Sequence, residues 1–92
     1  MIKTFRCKDT RALFEGNCPR KFKAFSSAAE RKLQMLDDAH ALEDLHVPPG
    51  NRLEALRGNF KGQWSIRIND QWRVCFRFDD GDAFDVVIID YH

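Results

Sequence analysis

The stretch that decides the fold is residues 64–89, which read WSIRINDQWRVCFRFDDGDAFDVVII. Apolar and polar side chains alternate in residues 64–68 and again in residues 72–78, which is typical of strands with one buried face. Asp79-Asp80-Gly81 is a favourable hairpin connection into a third apolar run, residues 83–89. Three consecutive strands joined by short turns predict an antiparallel meander.

Upstream of this meander the apolar residues recur at helical spacing. After a short first strand at Ile2 and Phe5, a brief helix is predicted from about residue 9 to residue 15. A longer amphipathic helix over residues 21–39 has one apolar face, formed by Phe22, Phe25, Ala29, Leu33 and Leu36. We therefore predict an α+β fold with two N-terminal helices packed on one face of an antiparallel sheet, in a single domain over residues 1–92.

Composition narrows the classes of protein. No apolar stretch is long enough for a secretion signal or a membrane span, so we expect a soluble, cytoplasmic protein. The three cysteines, Cys7, Cys18 and Cys75, are widely spaced and predict reduced thiols rather than a disulfide framework or a zinc site. No cofactor is predicted.

The net charge of +1 conceals a separation of opposite charges along the chain. Residues 52–77 contain six cations and two anions, whereas residues 79–90 contain five aspartates and no cation. A basic surface attracts polyanions, which makes nucleic acid a candidate partner.

Three of these cations, Arg67, Arg73 and Arg77, are predicted to lie on the solvated face of the sheet, opposite the core. Guanidinium groups on neighbouring strands can grip phosphates in bidentate fashion. Arg73 is the most central, because its strand pairs with both neighbours in a meander. A plainer interpretation stays open, in which these arginines only keep the sheet soluble and prevent its aggregation.

Asp90, Tyr91 and His92 follow the last predicted strand, which holds a carboxylate, a phenol and an imidazole together at the sheet edge. Attack of an RNA 2′-hydroxyl on its phosphate needs a base, a cation on the phosphorane and a donor to the leaving oxygen. His92 and Asp90 can exchange protons, and Tyr91 can donate or stack on a base. Arg73 can stabilise the negative charge of the phosphorane, so the reaction requires no metal.

Two alternatives for the closing residues remain open. One is a solvated tail with an incidental histidine. The other is a metal site formed by Asp90, His92, His40 and His46, although these residues lack any recognised ligand spacing.

Six segments together match a known family, namely MIKTF from Met1, LEALRG from Leu53, GQWSIRIN from Gly62, QWRVCF from Gln71, GDA from Gly81, and Asp90-Tyr91-His92. With these segments the chain resembles the HigB branch of RelE-type toxins over essentially its full length. The resemblance implies a RelE-like fold and the toxin of a type II toxin–antitoxin system. Such toxins are ribosome-dependent, metal-independent endoribonucleases that cut translated mRNA in the decoding site. The implied partners are the ribosome, mRNA and a HigA-like helix-turn-helix antitoxin, through which the complex binds operator DNA.

The resemblance also implies roles for individual residues. Arg73 would contact the phosphate and the transition state. The acid, base and orienting groups would be Asp90, Tyr91 and His92, without assignment among them. Arg57 and Lys61 would contact RNA. The alternation in the strands, not the resemblance, adds Arg67 and Arg77 as RNA-binding candidates.

One position departs from the family pattern, because Glu54 stands where some relatives have a histidine. A carboxylate there cannot supply the function of an imidazole, which predicts a slower or more tightly controlled toxin. Two other classes of function also fit the same basic surface. The chain could be a non-catalytic RNA or ribosome binder that blocks translation, or an interaction module whose arginines contact an acidic protein.

Overall fold

The structure, a computed structural model, describes residues 1–90. Two α-helices are followed by four strands: α1 (Lys8–Phe14), α2 (Ser26–Asp38), β1 (Glu54–Ala55), β2 (Trp64–Arg67), β3 (Trp72–Asp79) and β4 (Asp82–Asp90). The strands form one antiparallel sheet in the order β1-β2-β3-β4, and the predicted α+β class is confirmed. Within the described range no helix has the length and apolarity needed to cross a bilayer.

The core lies between the helices and one face of the sheet. Ala29, Leu33 and Leu36 recur at helical spacing along α2 and are fully buried. The buried strand residues that share this core are Ile66, Val74, Phe76, Ala83, Val86 and Ile88. Helix α1 is tied to β4 by Thr10, a fully buried residue whose Oγ1 accepts a hydrogen bond from the Ile88 backbone N–H at 3.1 Å.

The second predicted helix begins later than its apolar period suggests. Arg20–Phe25 forms a 3₁₀ helix, and the α-helix begins only at Ser26. A 3₁₀ turn places residues three apart on the same side, so Phe22 and Phe25 both contact Trp72 on β3. The Phe25 ring stacks on Trp72 at 5.0 Å between centroids, and the Phe22 ring meets it edge-on at 6.0 Å. Aromatic packing on the sheet therefore accounts for this turn.

The sheet also differs from the prediction at its two margins. Strand β1 was not predicted, because two residues are too few to show an alternating pattern. Ile2 and Phe5, predicted as a short strand, instead form isolated parallel bridges to Ala83 and Val86 of β4.

The prediction that Arg73 is solvated on the second face of the sheet, opposite the core, is wrong. Arg73 is only 6% exposed there, and Cys75 and Val87 are also buried. The segment of residues 52–60 lies against this part of the sheet, since the Arg52 carbonyl oxygen reaches the Arg73 guanidinium. Of the three arginines only Arg77 is exposed.

Candidate active site: an arginine fixed on the sheet

The candidate site is centred on Arg73, whose guanidinium group is buried in the second face of the sheet. Its Nε donates to the Ser65 hydroxyl on β2 at 2.8 Å, and its Nη2 donates to the Arg52 carbonyl oxygen at 2.6 Å. These two bonds fix the plane of the guanidinium, because they hold it from different sides. A cation held in this way needs no reorganisation when negative charge develops on a bound group.

The Arg52 carbonyl is positioned by a loop that is anchored to α2. Arg52 has left-handed backbone geometry, with φ of 45°, directly after the 3₁₀ turn Pro49–Asn51. The buried Asn51 amide donates to the Leu45 carbonyl oxygen at 3.2 Å and accepts a hydrogen bond from Lys32 Nζ of α2. Packing on the helical side of the molecule thus reaches the guanidinium through this loop.

A carboxylate already faces the arginine. Glu54 Oε1 on β1 lies 3.8 Å from Arg73 Nη1. Glu54 is paired with Ser65 in the β1–β2 register, so the three side chains share one face. The Glu54 side chain is 49% exposed while that of Arg73 is 8% exposed. An exposed carboxylate can move aside for a phosphate, yet while it remains it offsets part of the positive charge that the phosphate would meet.

Arg67 lies directly opposite Arg73 in the β2–β3 register. It forms an ion pair with Asp70 in the turn between these strands. Both arginines line a pocket of about 240 Å³ together with Arg52 and Glu54. The structure therefore brings two of the three predicted arginines to one pocket.

Arg77 lies four residues further along β3, or roughly 13 Å from Arg73 at the usual rise per residue of a strand. Strand β4 bulges beside it, with Asp85 at φ of 55°. Arg77 Nε is 3.6 Å from the Asp85 carboxylate, and its guanidinium lies 4.7 Å from the centre of the Phe84 ring. Arg77 thus marks the far end of the basic face rather than its centre.

Asp90 is the last described residue, and it is paired with Trp72 in the β3–β4 register. This register places Asp90 on the face of Trp72, whereas Ile89 shares the face of Arg73. The Gln71 side-chain amide donates to Asp90 Oδ2 at 3.0 Å. The structure therefore does not bring Asp90 onto the face of Arg73. Tyr91 and His92 lie outside the described residues.

The predicted RNA-binding residues Arg57 and Lys61 lie on either side of the 3₁₀ turn Gly58–Phe60. Gly58 at φ of 65° and Gly62 at φ of 91° have backbone geometry that favours glycine. Arg57 lines a cavity of about 730 Å³ beside the candidate site, and Lys61 lines a neighbouring pocket of about 410 Å³. The loop therefore extends the basic surface beyond the sheet.

Sequence reasoning missed two residues of this site, Ser65 and Phe60. A serine in a strand gives no signal of its own, although its alternation with Trp64 and Ile66 puts it on the arginine face. Phe60 stands between Asn59 and Lys61, and nothing in these neighbours distinguishes an exposed ring from a core residue.

Cys75 shares the face of Arg73 but does not offer a nucleophile at neutral pH. Burial raises the pKa of its thiol to about 11, although the nearby Arg73 and Arg6 guanidinium groups oppose this shift. Among residues 1–90 no three His, Cys, Asp or Glu side chains gather as a metal site. His92, which the alternative metal site would need, lies outside that range.

The helices on one face of the sheet and the fixed arginine on the other define a small α+β domain with a cationic site. A family model described as "RelE-like toxin of type II toxin-antitoxin system HigB" matches residues 3–92, and the chain therefore belongs to the HigB-like toxin family. It is the toxin of a toxin–antitoxin system, and its partner is an antitoxin.

Two relatives agree with this assignment, and one solved structure shares the fold. The chain is 48% identical to Toxin HigB-1 of Vibrio cholerae over 65 residues, which are 71% of this chain and 68% of the relative. It is 33% identical to Endoribonuclease HigB of Proteus vulgaris over 93 residues, which span 100% of both chains. The crystal structure of YafQ from Escherichia coli superposes with a TM-score of 0.70 at 12% identity, covering 98% of this chain and 91% of that one.

Proposed function

We propose that this toxin is a ribosome-dependent endoribonuclease that cuts translated mRNA in the decoding site and so inhibits translation in the cytoplasm. A HigA-like helix-turn-helix antitoxin neutralises it, and the complex of the two binds operator DNA. The observation that carries the proposal is the buried Arg73, fixed by Ser65 and Arg52 with its Nη1 turned toward the exposed carboxylate of Glu54. Endoribonuclease activity is supported by the full-length similarity to a relative of that name.

The reaction that fits this arrangement is an internal transfer within RNA. The 2′-hydroxyl oxygen attacks the adjacent phosphorus, the bond from phosphorus to the 5′-oxygen breaks, and a 2′,3′-cyclic phosphate and a 5′-hydroxyl end result. The phosphate takes the place of the Glu54 carboxylate beside Arg73. Arg73 then binds the non-bridging oxygens and stabilises the negative charge of the phosphorane. No metal is needed, because the guanidinium supplies the positive charge.

Proton transfer in this scheme belongs to the set Asp90, Tyr91 and His92, as the family resemblance implies. Because Asp90 lies on the face of Trp72 and accepts a hydrogen bond from Gln71, its part in the set is that of the orienting group. One group removes the proton from the 2′-hydroxyl, and another returns a proton to the leaving 5′-oxygen. These groups titrate as a set when they interact, so their pH dependence describes the set.

The remaining cations give the RNA backbone a path across the molecule. Arg67 lies next to Arg73 in the same pocket, and Arg57 and Lys61 continue the basic surface along the loop. Arg77 lies at the far end of the same face. These residues neutralise phosphates without reading sequence, so codon preference depends on how the ribosome presents the messenger.

The test is to induce the wild-type chain, His92→Ala and Arg73→Ala in bacteria that lack the antitoxin, and to map mRNA 5′ ends while following growth. Lys23→Ala is the matched control, because Lys23 is an exposed cation of the helical side. We expect cuts inside translated codons with the wild type and the control, and none with His92→Ala or Arg73→Ala. Purified protein should cut the same messenger only when ribosomes are present.

Because Arg73 is buried, the thermal unfolding of Arg73→Ala must be measured beside its activity. Loss of cleavage by His92→Ala with an unchanged melting temperature supports catalysis. Growth arrest without cuts, equal in the wild type and His92→Ala, contradicts it and favours a non-catalytic translation inhibitor. If bare mRNA is cut at the same rate as ribosome-bound mRNA, ribosome dependence is contradicted but endoribonuclease activity is not.

A further inference from the structure

Phe60 is an exposed aromatic side chain that neither the core nor the proposed chemistry uses. Of the large apolar side chains in residues 1–90, three are exposed, and Phe60, at 44%, is the only aromatic one among them. The Arg6 guanidinium lies over its ring, 6.0 Å from the ring centre. A ring held at the surface beside a cation is the arrangement with which proteins bind flat, electron-rich groups.

The ring forms part of a cavity of about 730 Å³, lined by Glu54, Ala55, Leu56, Arg57, Phe60 and Ile89. Pockets that hold small ligands span about 300 to 1,000 Å³, so this cavity can admit a nucleotide unit. Leu56 and Ile89 supply apolar surface for the flat part of such a ligand. Arg57 supplies a cation for its phosphate.

The cavity opens beside the fixed arginine. Ile89 is the register partner of Arg73, and Glu54 both lines the cavity and forms the ion pair with Arg73. A phosphate held by Arg73 would therefore have its neighbouring nucleotide next to the cavity. The distance is short, because paired residues on adjacent strands lie only about 5 Å apart.

We infer that this cavity is a nucleobase pocket, in which one base flanking the phosphate held by Arg73 stacks on Phe60. The inference rests on the proposed function for its substrate class, single-stranded RNA. Phe60 is a binding residue in this scheme and takes no part in proton transfer. Stacking on an aromatic ring tolerates every base, because each base has a π-face, so the pocket positions the RNA more than it selects sequence.

The test uses a 2′-O-methyl trinucleotide, which binds as RNA does but has no 2′-hydroxyl to react. The isotope-labelled chain is titrated with this probe, and the methyl signals of Leu56 and Ile89 and the ring signals of Phe60 are followed by NMR. We expect ring-current shifts at these three residues. Phe60→Ala should weaken binding about 5- to 150-fold, the range for loss of one base–aromatic stack, while Phe60→Tyr keeps wild-type affinity.

Val47→Ala is the matched control, because Val47 is an exposed apolar side chain outside this cavity. Absence of shifts at the cavity residues up to millimolar probe, or equal affinity of Phe60→Ala and the wild type, overturns the pocket. Failure of the endonuclease proposal is seen separately. If the probe binds in the cavity but the wild type cuts no messenger in cells, the pocket stands and the endonuclease proposal fails.

Discussion

Ser65→Ala tests whether the fixed geometry of Arg73 is what makes the site work. The substitution removes the hydroxyl that accepts the Arg73 Nε–H at 2.8 Å, in a place where both residues are buried. A buried hydrogen bond to a charged group contributes about 1.5 to 3 kcal/mol. In a domain of this size each kcal/mol shifts the melting temperature by about 4 to 8 °C, so we expect a fall of roughly 6 to 24 °C.

The same change should slow cleavage by more than the loss of folded protein explains. Arg73 Nη2 would keep its bonds to the Arg52 carbonyl oxygen and, at 3.4 Å, to the Ser65 carbonyl oxygen. The bond from Nε to the hydroxyl would be lost, so the guanidinium could pivot about Nη2. A displacement of about 1 Å at a catalytic group can cost roughly 100-fold in rate. We expect kcat to fall while KM changes little, since a loosened cation still attracts RNA.

The assays are urea or thermal unfolding and single-turnover cleavage of ribosome-bound mRNA, below the melting temperature of the variant. Ser27→Ala, an exposed serine on α2, is the control and should unfold within about 0.5 kcal/mol of the wild type. Ser65→Thr keeps a hydroxyl and should recover the cleavage rate in part. If Ser65→Ala keeps both wild-type stability and wild-type kcat, Ser65 does not position Arg73.

Three further predictions concern Glu54, Cys75 and Thr10. Glu54→His should raise the cleavage rate, because it removes the carboxylate 3.8 Å from Arg73. It should change the free energy of unfolding by no more than about 1 kcal/mol, since the Glu54 side chain is half exposed. An unchanged or lower cleavage rate would contradict the hypothesis that Glu54 slows the toxin. The Cys75 contribution to the free energy of unfolding should be fully present below about pH 9 and be lost as pH rises toward 11, because the unfolded chain releases the thiol proton first and the folded chain holds it to a pKa of about 11. Over this range the free energy of unfolding should fall more steeply than in Cys75→Ala, by up to about 1.4 kcal/mol per pH unit. Parallel curves for the two proteins would show that Cys75 titration is not linked to folding. Thr10→Val should cost about 1 to 3 kcal/mol in urea unfolding, because the buried Ile88 N–H loses its acceptor at 3.1 Å, and a neutral result would mean that this amide finds another partner.

Local pattern was sufficient for much of the fold. The alternation in residues 72–78 predicted β3 because the side chains of a strand alternate whatever surrounds them. The spacing of Ala29, Leu33 and Leu36 predicted α2 for the same kind of reason. Pattern failed at β1, because two residues are too few to show a period. It also failed at Arg20–Phe25, because packing on Trp72 favours a 3₁₀ helix over the α-helix that the apolar spacing predicts.

The candidate site was only half visible in the sequence. Arg73 could be predicted as a site residue because a guanidinium on a central strand is held rigidly and can bind phosphate. Resemblance to the HigB branch predicted the family that the comparison confirms. The burial of Arg73 could not be predicted, because it depends on residues 52–60 packing against its face of the sheet. Ser65 and Glu54 contact Arg73 only because β1, β2 and β3 pair in this register. Phe60 reaches the cavity beside Arg73 through the loop between β1 and β2, and none of these three placements leaves a periodic signal in the sequence.

By itself, then, the sequence determined the class of fold, the family and the cations available to bind RNA, because periodicity, turn chemistry and charge are local properties of the chain. Tertiary structure alone decided which of those cations is fixed, which carboxylate faces it and which ring lies beside it. The physical reason is that hydrogen bonds and ion pairs at about 3 to 4 Å depend on the register of β1, β2 and β3. A shift of one residue in that register would turn Ser65 to the opposite face and leave Arg73 without its hydroxyl partner.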